Sequence, residues 1–180
     1  KNIGSISQAG LVNNLNDAMV WGLFPILLAT KHFKLDEIAT IVAIYPIFWG
    51  VGQLFTGKMA DIFDKKKMLF LGMLLQGVAL LSMIYATTFW HFAILSSVLG
   101  IGTAIVYPTF LAGIVDYTHP EQRAESIGIF RFWRDSGYAF GAIITGVISD
   151  IWNINTSIAL IGGLTIISAL IIQVRMRSKI

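Results

Sequence analysis

Long stretches without charge determine the fold class of this chain. No Asp, Glu, Lys or Arg occurs in the 48 residues 68–115, and further uncharged stretches cover 38–57 and 151–174. About 20 apolar residues in a helix cross a hydrocarbon core about 30 Å thick. Because unpaired backbone groups find no water inside a bilayer, such stretches must be helical where they span it. The pattern therefore predicts an all-α integral membrane protein.

The composition agrees with a chain that faces lipid over most of its surface. Hydrophobic residues make up 56% of the 180 residues and charged residues 13%, whereas soluble domains carry roughly a quarter charged residues. No cysteine is present, which excludes disulfides and thiolate metal sites, and we expect neither a metal nor a cofactor. The net charge of +3 is small and dispersed, which argues against a nucleic-acid partner. The chain starts at Lys1 without a signal-peptide pattern, so we expect it to be a segment of a longer protein.

The spacing of the charges predicts six transmembrane helices in a single domain, 1–180. The stretch 68–115 is too long for one span and predicts a helical hairpin, with its turn at 87–91, where polar and aromatic residues suit the membrane interface. The uncharged stretch 136–149 is too short for a span, so its helix must begin earlier, among charged residues. The predicted helices lie near residues 7–30, 37–57, 67–87, 91–115, 126–149 and 153–174.

The distribution of Lys and Arg predicts the orientation in the membrane. With the N-terminus in the cytoplasm, the outer segments hold only Lys31 and Lys34, and the inner segments hold the other eleven basic residues. Cytoplasmic loops carry an excess of Lys and Arg. Both termini are therefore predicted to be cytoplasmic.

An internal repeat relates the two halves of the chain. Residues 57–64 can be laid over 146–153 at a shift of 89 residues, and the same shift places Gly52 on Gly141. Each half then holds three helices, and an odd number of spans reverses the orientation of the second copy. Inverted three-helix repeats are a known construction of transporters, so we predict two inverted three-helix repeats.

Asp17 is the most informative single residue, because it lies near the middle of the first predicted helix. A carboxylate at the centre of a bilayer costs a few kcal/mol on insertion scales and usually faces a cavity or pathway. Asn13, Asp17 and Trp21 are spaced four apart on one helix face, with Asn14 alongside. The four residues are predicted to form a site for a solute or a proton. The alternative is an interhelical hydrogen-bond cluster in which Asp17 is satisfied by its neighbours.

A second cluster follows the second predicted helix, where Gly57 allows close backbone approach and Asp61 can accept hydrogen bonds from a helix N-terminus. By itself a basic loop of this kind is only a topology signal. Segment 57–66, however, resembles the cytoplasmic loop signature of the major facilitator superfamily, Gly-x-Leu-Ala/Ser-Asp-Arg-x-Gly-Arg/Lys-Arg/Lys. Ile62 and Asp64 depart from the signature. The positions that agree with it are Gly57, Met59, Ala60, Asp61, Lys65 and Lys66.

The resemblance covers nearly the whole chain. Residues 119–126 and 130–141 look like the loop and helix that join spans ten and eleven of that superfamily. In drug antiporters, the equivalent helix of the other half carries a Gly-Pro pair. In this chain the glycines of that helix are not followed by proline. The chain also ends in a basic stretch, with Arg175, Arg177 and Lys179. These features resemble the C-terminal half of the fold, spans seven to twelve.

The resemblance implies half of a secondary active transporter that works by alternating access. It implies a small solute, proton coupling, and a partner that is either a missing N-terminal six-helix half or a second chain. Efflux is favoured over uptake, and the expected location is a bacterial-type plasma (inner) membrane. The resemblance also implies a cytoplasmic gate, in which Asp116 would pair with Arg131 or Arg134. The residues assigned to this gate are Gly57, Asp61, Lys65, Lys66, Asp116, Arg131, Arg134 and Asp135.

Two other function classes were compared with this interpretation. An intramembrane protease needs a central Ser and His or two facing carboxylates, but only Asp17 is central and His32, His91 and His119 lie near interfaces. We therefore expect no enzyme activity. A structural or pairing membrane subunit, or a channel, which by itself transports no solute, remains the alternative, although no re-entrant filter segment is visible.

Overall fold

The computed structural model describes residues 1–178, and all regular secondary structure within them is helical. Lys179, part of the basic C-terminal stretch, lies outside the described residues. Helices lie over the six predicted segments, with two differences. The first segment is divided in two, and the second helix continues five residues beyond its predicted end, so that Gly57 and Asp61 of the loop signature lie within it. The elements are α1 (Asn2–Gly22), α2 (Phe24–Thr30), α3 (Leu35–Ile62), α4 (Lys65–Met83), α5 (Phe89–Asp116), a 3-10 turn (Pro120–Gln122), α6 (Arg123–Ile151) and α7 (Ile154–Arg175).

Within residues 1–178, four helices, α3, α4, α5 and α7, are long and apolar enough to cross a membrane. The other two predicted spans correspond to α1 with α2 and to α6. Helix α1 contains Asp17 and four asparagines, and α6 contains Arg131, Arg134 and Asp135. These polar and charged residues lower the hydropathy of both helices, so membrane crossing by α1 and α6 stays a prediction.

The break between α1 and α2 is where the structure differs from the predicted continuous helix 7–30. Helix α1 ends at Gly22, and Pro25 occupies the first turn of α2. Proline has no N–H, and its ring conflicts with the carbonyl four residues earlier, here that of Trp21. Glycine adds backbone freedom beside it. The first predicted span is therefore interrupted one turn beyond Asp17.

The helices pack as related pairs. Helix α3 packs mainly on α5 and α1 on α6, while α4 lies between α5 and α7, and α1 also contacts α7. If the first three predicted helices are superposed on the last three, α1 corresponds to α5, α3 to α6, and α4 to α7. The α3–α5 and α1–α6 pairs are then equivalent, as are the α4–α5 and α1–α7 pairs. This arrangement is the one that an inverted repeat would produce, and the repeat itself stays a prediction.

Two close helix contacts fit the same shift of 89 residues. A Cβ added at Gly52 would lie 2.7 Å from the Cβ of Ala104, and one at Gly141 would lie 3.0 Å from the Cα of Leu15. Gly52 and Gly141, and likewise Leu15 and Ala104, are the pairs that the shift superposes. Each glycine carbonyl accepts a hydrogen bond from the hydroxyl of the threonine one turn later, at 3.2 Å for Gly52 and 2.7 Å for Gly141. These threonines, Thr56 and Thr145, are also related by the shift.

We expect Gly100→Ala to destabilise the bundle, because α3 passes directly over this glycine. A Cβ there would lie 2.6 Å from the carbonyl oxygen of Tyr45 and 2.8 Å from the Cβ of Phe48. Overpacking of this kind costs about 1–3 kcal/mol, and it should lower the thermal unfolding temperature in detergent. The control is Gly163→Ala in α7, where the added Cβ meets no atom within 4 Å. There, improved helix propensity should leave stability unchanged or raise it. Equal shifts in the two variants would contradict this packing.

Two apolar clusters fill the bundle, one towards each end. The first contains Phe24 and Phe92, and the second contains Phe110 and Phe130. In α1, α4, α5 and α7, buried polar residues fall between the members of the two clusters. The core is therefore two apolar layers with a polar layer between them.

Candidate functional site

The polar layer is built around α1. Asn13, Asn14, Asn16 and Asp17 each expose at most 1% of their surface. Burial of so many polar groups is tolerated only where hydrogen-bond partners are supplied. Four neighbouring helices provide them directly, through Tyr45 of α3, Gln76 of α4, Tyr138 of α6 and Thr165 of α7. Thr103 of α5 bonds Tyr45 rather than a residue of α1.

The carboxylate of Asp17 is held by two tyrosines from different helices. The Tyr45 hydroxyl donates to Oδ1, and the Tyr138 hydroxyl donates to Oδ2 at 3.1 Å. The Tyr45 hydroxyl also lies 3.2 Å from the Thr103 hydroxyl. Tyr45 is 1% exposed, whereas Tyr138 is 40% exposed. The Asp17 carboxylate is thus enclosed on the Tyr45 side, and on the other side Tyr138 connects it to the exposed surface of α6.

The amides of α1 form a second hydrogen-bonded group with α4 and α7. Asn16 Nδ2 donates to Gln76 Oε1 at 2.8 Å, and Gln76 Nε2 donates to Asn13 Oδ1 at 3.1 Å. The Thr165 hydroxyl donates to Asn16 Oδ1 at 2.7 Å. Asn13 Nδ2 reaches Asn14 Oδ1 at 3.4 Å. Asn13 was predicted to act with Asp17, but the structure bonds it to Gln76.

An aromatic surface adjoins the carboxylate. Trp21 is 46% exposed and meets Tyr45 edge-on, with ring centroids 6.1 Å apart. Tyr45 stacks on Trp49 at 6.2 Å, and Trp49 contacts Tyr107 at 5.4 Å. Of the four residues predicted for this site, Asp17 and Trp21 lie at this surface. We refer to Trp21, Tyr45, Trp49 and Tyr107 as the aromatic wall.

Arg134 lies at the edge of the aromatic wall. Its Nε donates to Asp135 Oδ1 at 2.8 Å, and its Nη1 lies 3.4 Å from the Tyr107 hydroxyl. Its guanidinium also stacks over the rings of Tyr107 and Phe130, at 5.5 and 5.7 Å. Arg134 lies one helix turn before Tyr138 on the same face of α6, so its guanidinium lies near the tyrosine that bonds the buried Asp17 carboxylate.

At the predicted cytoplasmic end, the ion pair differs from the prediction. Asp116 was expected to pair with Arg131 or Arg134, but the structure pairs it with Lys65 of α4, at 3.2 Å. Arg134 bonds its neighbour Asp135 instead, and Arg131 is exposed. The reason is that α5 ends beside the start of α4, with which it packs extensively.

The loop signature has two further departures from expectation. A Cβ added at Gly57 meets no described atom within 4 Å, so no close helix approach requires this glycine. Asp61 is exposed, and the helix N-terminus of α4 is capped by Asp64, whose carboxylate accepts from the Lys67 N–H at 2.9 Å. Lys66 is half-buried beside this cap. The three histidines are exposed.

Comparison with known proteins gives the family. A sequence profile of the Major Facilitator Superfamily matches residues 6–179. The inner membrane transport protein YnfM of Escherichia coli (strain K12) is 29% identical over 159 residues, covering 85% of this chain and 37% of that protein. The methyl viologen resistance protein SmvA of Salmonella typhimurium (strain LT2) is 28% identical over 127 residues, covering 70% of this chain and 26% of that protein.

A solved structure shows the same fold. A bacterial homolog of the human lysosomal transporter Spinster, in an inward-facing and unoccupied conformation, superposes with a TM-score of 0.83 at 15% identity. The match covers 99% of this chain and 43% of that one. The chain thus spans less than half the length of the proteins that it matches. These relatives are named as transport or resistance proteins, and the chain belongs to the Major Facilitator Superfamily.

Proposed function

We propose that this chain is the C-terminal six-helix half of a proton-coupled secondary transporter that works by alternating access. The family and the fold support a transporter, and the 43% coverage of a whole transporter chain supports half of one. The observation that carries the proposal is Asp17, a buried carboxylate in the polar layer, held by tyrosines of two helices. An ionisable residue in this position is a site for a coupling ion or solute.

The solute in this proposal is small and amphiphilic, and it binds against the aromatic wall. Flat aromatic side chains provide a large apolar contact area together with polar edges. The Trp49 indole N–H is buried without a partner among the described residues. Relatives include a multidrug transporter, AQR1 of Candida glabrata, which is 28% identical over 127 residues, and the methyl viologen resistance protein. These relatives favour efflux over uptake.

The open face of the bundle is the proposed contact with the N-terminal half or a second chain. Helices α1, α3, α5 and α6 carry Asp17, the aromatic wall and Tyr138, whereas α7 packs on α1, and α4 packs on α5 and α7. Substrate sites of such transporters lie near the bilayer midplane between two bundles. We propose that solute binds between this face and the partner bundle.

The proposed cytoplasmic gate includes two ion pairs. Lys65 with Asp116 joins the start of α4 to the end of α5, and Arg134 with Asp135 lies on α6. Part-exposed pairs of this kind contribute about 1 kcal/mol or less, so they can break and reform as two bundles move. The other residues assigned to the gate are Gly57, Asp61, Lys66 and Arg131.

The six-span topology can be tested directly, because the chain contains no cysteine. Single cysteines at Lys31 and Thr87 are expected to react with a membrane-impermeant maleimide in intact cells. Cysteines at Lys66 and His119 are expected to react only after the membrane is permeabilised. Labelling of all four positions in intact cells, or of none of them, would contradict two-sided exposure and thus the proposed half-transporter. Transport itself is tested by proton-driven solute flux in membrane vesicles.

A further inference from the structure

Asp17 is enclosed in this structure, with only 1% of the residue exposed. The proposed function, however, requires its carboxylate to exchange a proton with the surroundings in each cycle. A carboxylate buried in this way meets water or solute directly only after one of the groups that cover it has moved. The neighbours of Asp17 differ in how firmly the bundle holds them.

The Tyr45 side of the carboxylate is fixed. The Tyr45 hydroxyl bonds Oδ1 of Asp17 and also lies 3.2 Å from the Thr103 hydroxyl. The ring of Tyr45 packs edge-on against Trp21 and stacks on Trp49, with centroids 6.1 and 6.2 Å away. Tyr45 is 1% exposed. Water or solute therefore reaches Oδ1 past this residue only if part of the core is displaced.

The Tyr138 side of the carboxylate is held much less firmly. The Tyr138 hydroxyl donates to Oδ2 of Asp17 at 3.1 Å, and its side chain has no other hydrogen bond or ring contact among the described residues. Tyr138 is 40% exposed. Rotation of this side chain to another staggered rotamer therefore uncovers Oδ2 at the loss of one hydrogen bond.

The backbone of α6 beside Tyr138 is held in place by α1. A Cβ added at Gly137 would overlap the carbonyl oxygen of Leu11, and one added at Gly141 would lie 3.0 Å from the Cα of Leu15. The two helices are thus in backbone contact on both sides of the tyrosine in the sequence. Movement at this point is confined to the Tyr138 side chain.

We propose that Tyr138 is the lid of the proton site. The lid is closed when its hydroxyl bonds Oδ2, and rotation of the side chain away from Asp17 admits water or solute to the carboxylate. The inference rests on the proposed proton coupling at Asp17 and adds the residue that controls access to it. Trp21, one turn further along α1, is also part-exposed and packs on Tyr45, so it is the alternative that the test must exclude.

The test is the reactivity of Asp17 towards a water-soluble carbodiimide, which couples a protonated carboxyl to a labelled amine. The purified full-length protein is labelled, and peptide mass spectrometry gives the rate at Asp17 relative to the exposed Asp36. Rates are compared at their low-pH plateau, where the protonation state of the carboxyl no longer limits them. Asp17→Asn identifies the peptide that carries the label.

Tyr138→Phe keeps the ring over the carboxylate but removes the hydrogen bond that holds the lid closed. One hydrogen bond shifts such an equilibrium about two- to tenfold, and labelling of Asp17 should rise by that factor. Tyr138→Ala removes the lid altogether and should raise labelling further. Tyr107→Ala truncates a tyrosine that lies near Arg134 and forms no hydrogen bond with Asp17, so labelling should stay at the parent rate.

The lid is overturned if Tyr138→Ala labels like the parent, or if Tyr107→Ala raises labelling as far as Tyr138→Ala does. It is also overturned if Trp21→Ala raises labelling and the Tyr138 variants do not. Labelling of Tyr138→Phe at the parent rate would indicate a static tyrosine that relays protons through its hydroxyl, which contradicts the lid. Proton coupling is tested separately by flux in Asp17→Asn, and normal proton-driven flux there would overturn the coupling without changing what labelling reports about Tyr138.

Discussion

Asp17→Asn is expected to abolish solute accumulation against a gradient while the protein remains folded. Asparagine has the shape of aspartate, and its amide can still bond the Tyr45 and Tyr138 hydroxyls. It cannot take up a proton, so a proton gradient can no longer drive the cycle. Gradient-driven flux in everted membrane vesicles should fall to that of vesicles without the protein. Exchange of labelled for unlabelled solute, which needs no proton, should persist.

The control for this variant is Asp36→Asn, which makes the same chemical change at an exposed position in the first turn of α3. It should accumulate solute like the parent. Methyl viologen is a suitable first probe, since a relative is named for resistance to it. Normal proton-driven accumulation by Asp17→Asn would show that Asp17 is only a satisfied hydrogen-bond acceptor in the core.

Gln76→Leu is expected to have the largest effect on stability among single substitutions in the polar layer. Gln76 is 0% exposed, and its amide pairs with both Asn13 and Asn16. Leucine fills similar space but leaves Asn16 Nδ2 and Asn13 Oδ1 without these partners. One buried unpaired group costs about 1–3 kcal/mol. Because an unfolded chain in a membrane also finds partners, we expect about 1–3 kcal/mol for the two together.

The measurement for this variant is the free energy of unfolding in mixed detergent micelles. Gln53→Leu in α3 is the matched control, since its side chain is only partly buried and bonds no described residue across the bundle. It should change the unfolding free energy by less than about 0.5 kcal/mol. If Gln76→Leu is as stable as Gln53→Leu, the amide group does not hold α1 against α4.

The helical segments and the central carboxylate were predicted from sequence because both depend on local signals. Uncharged stretches define helices, and Asp17 is the one charge within the first. The tyrosines that hold it lie 28 and 121 residues away in the sequence. Their positions depend on which helix faces pack together. The periodic pattern of a single sequence does not reveal which faces these are. Tyr45 and Tyr138 were therefore missed.

The sequence carries local signals for two other features. Gly22 and Pro25, three residues apart, are an ordinary helix-breaking combination. Together they account for the division of the first predicted span. Asp64 directly before the lysines at the start of α4 is an ordinary N-cap. No such local signal identifies the partner of Asp116. Lys65 lies 51 residues earlier in the sequence, and the spacing of residues along α6 carries no information about it. Contacts within one helix could thus be predicted, whereas contacts between helices could not.

The measurement that tests the central claim most directly is proton release on solute binding. If Asp17 holds a proton that the solute displaces, binding and protonation are linked, and each must alter the other. Addition of solute to the purified full-length protein in weak buffer should acidify the medium, as reported by a pH-sensitive dye. Asp17→Asn should bind the solute without this signal. An equal proton signal from parent and Asp17→Asn, or solute binding by the parent without proton exchange across the pH range of activity, would contradict Asp17 as the coupling site.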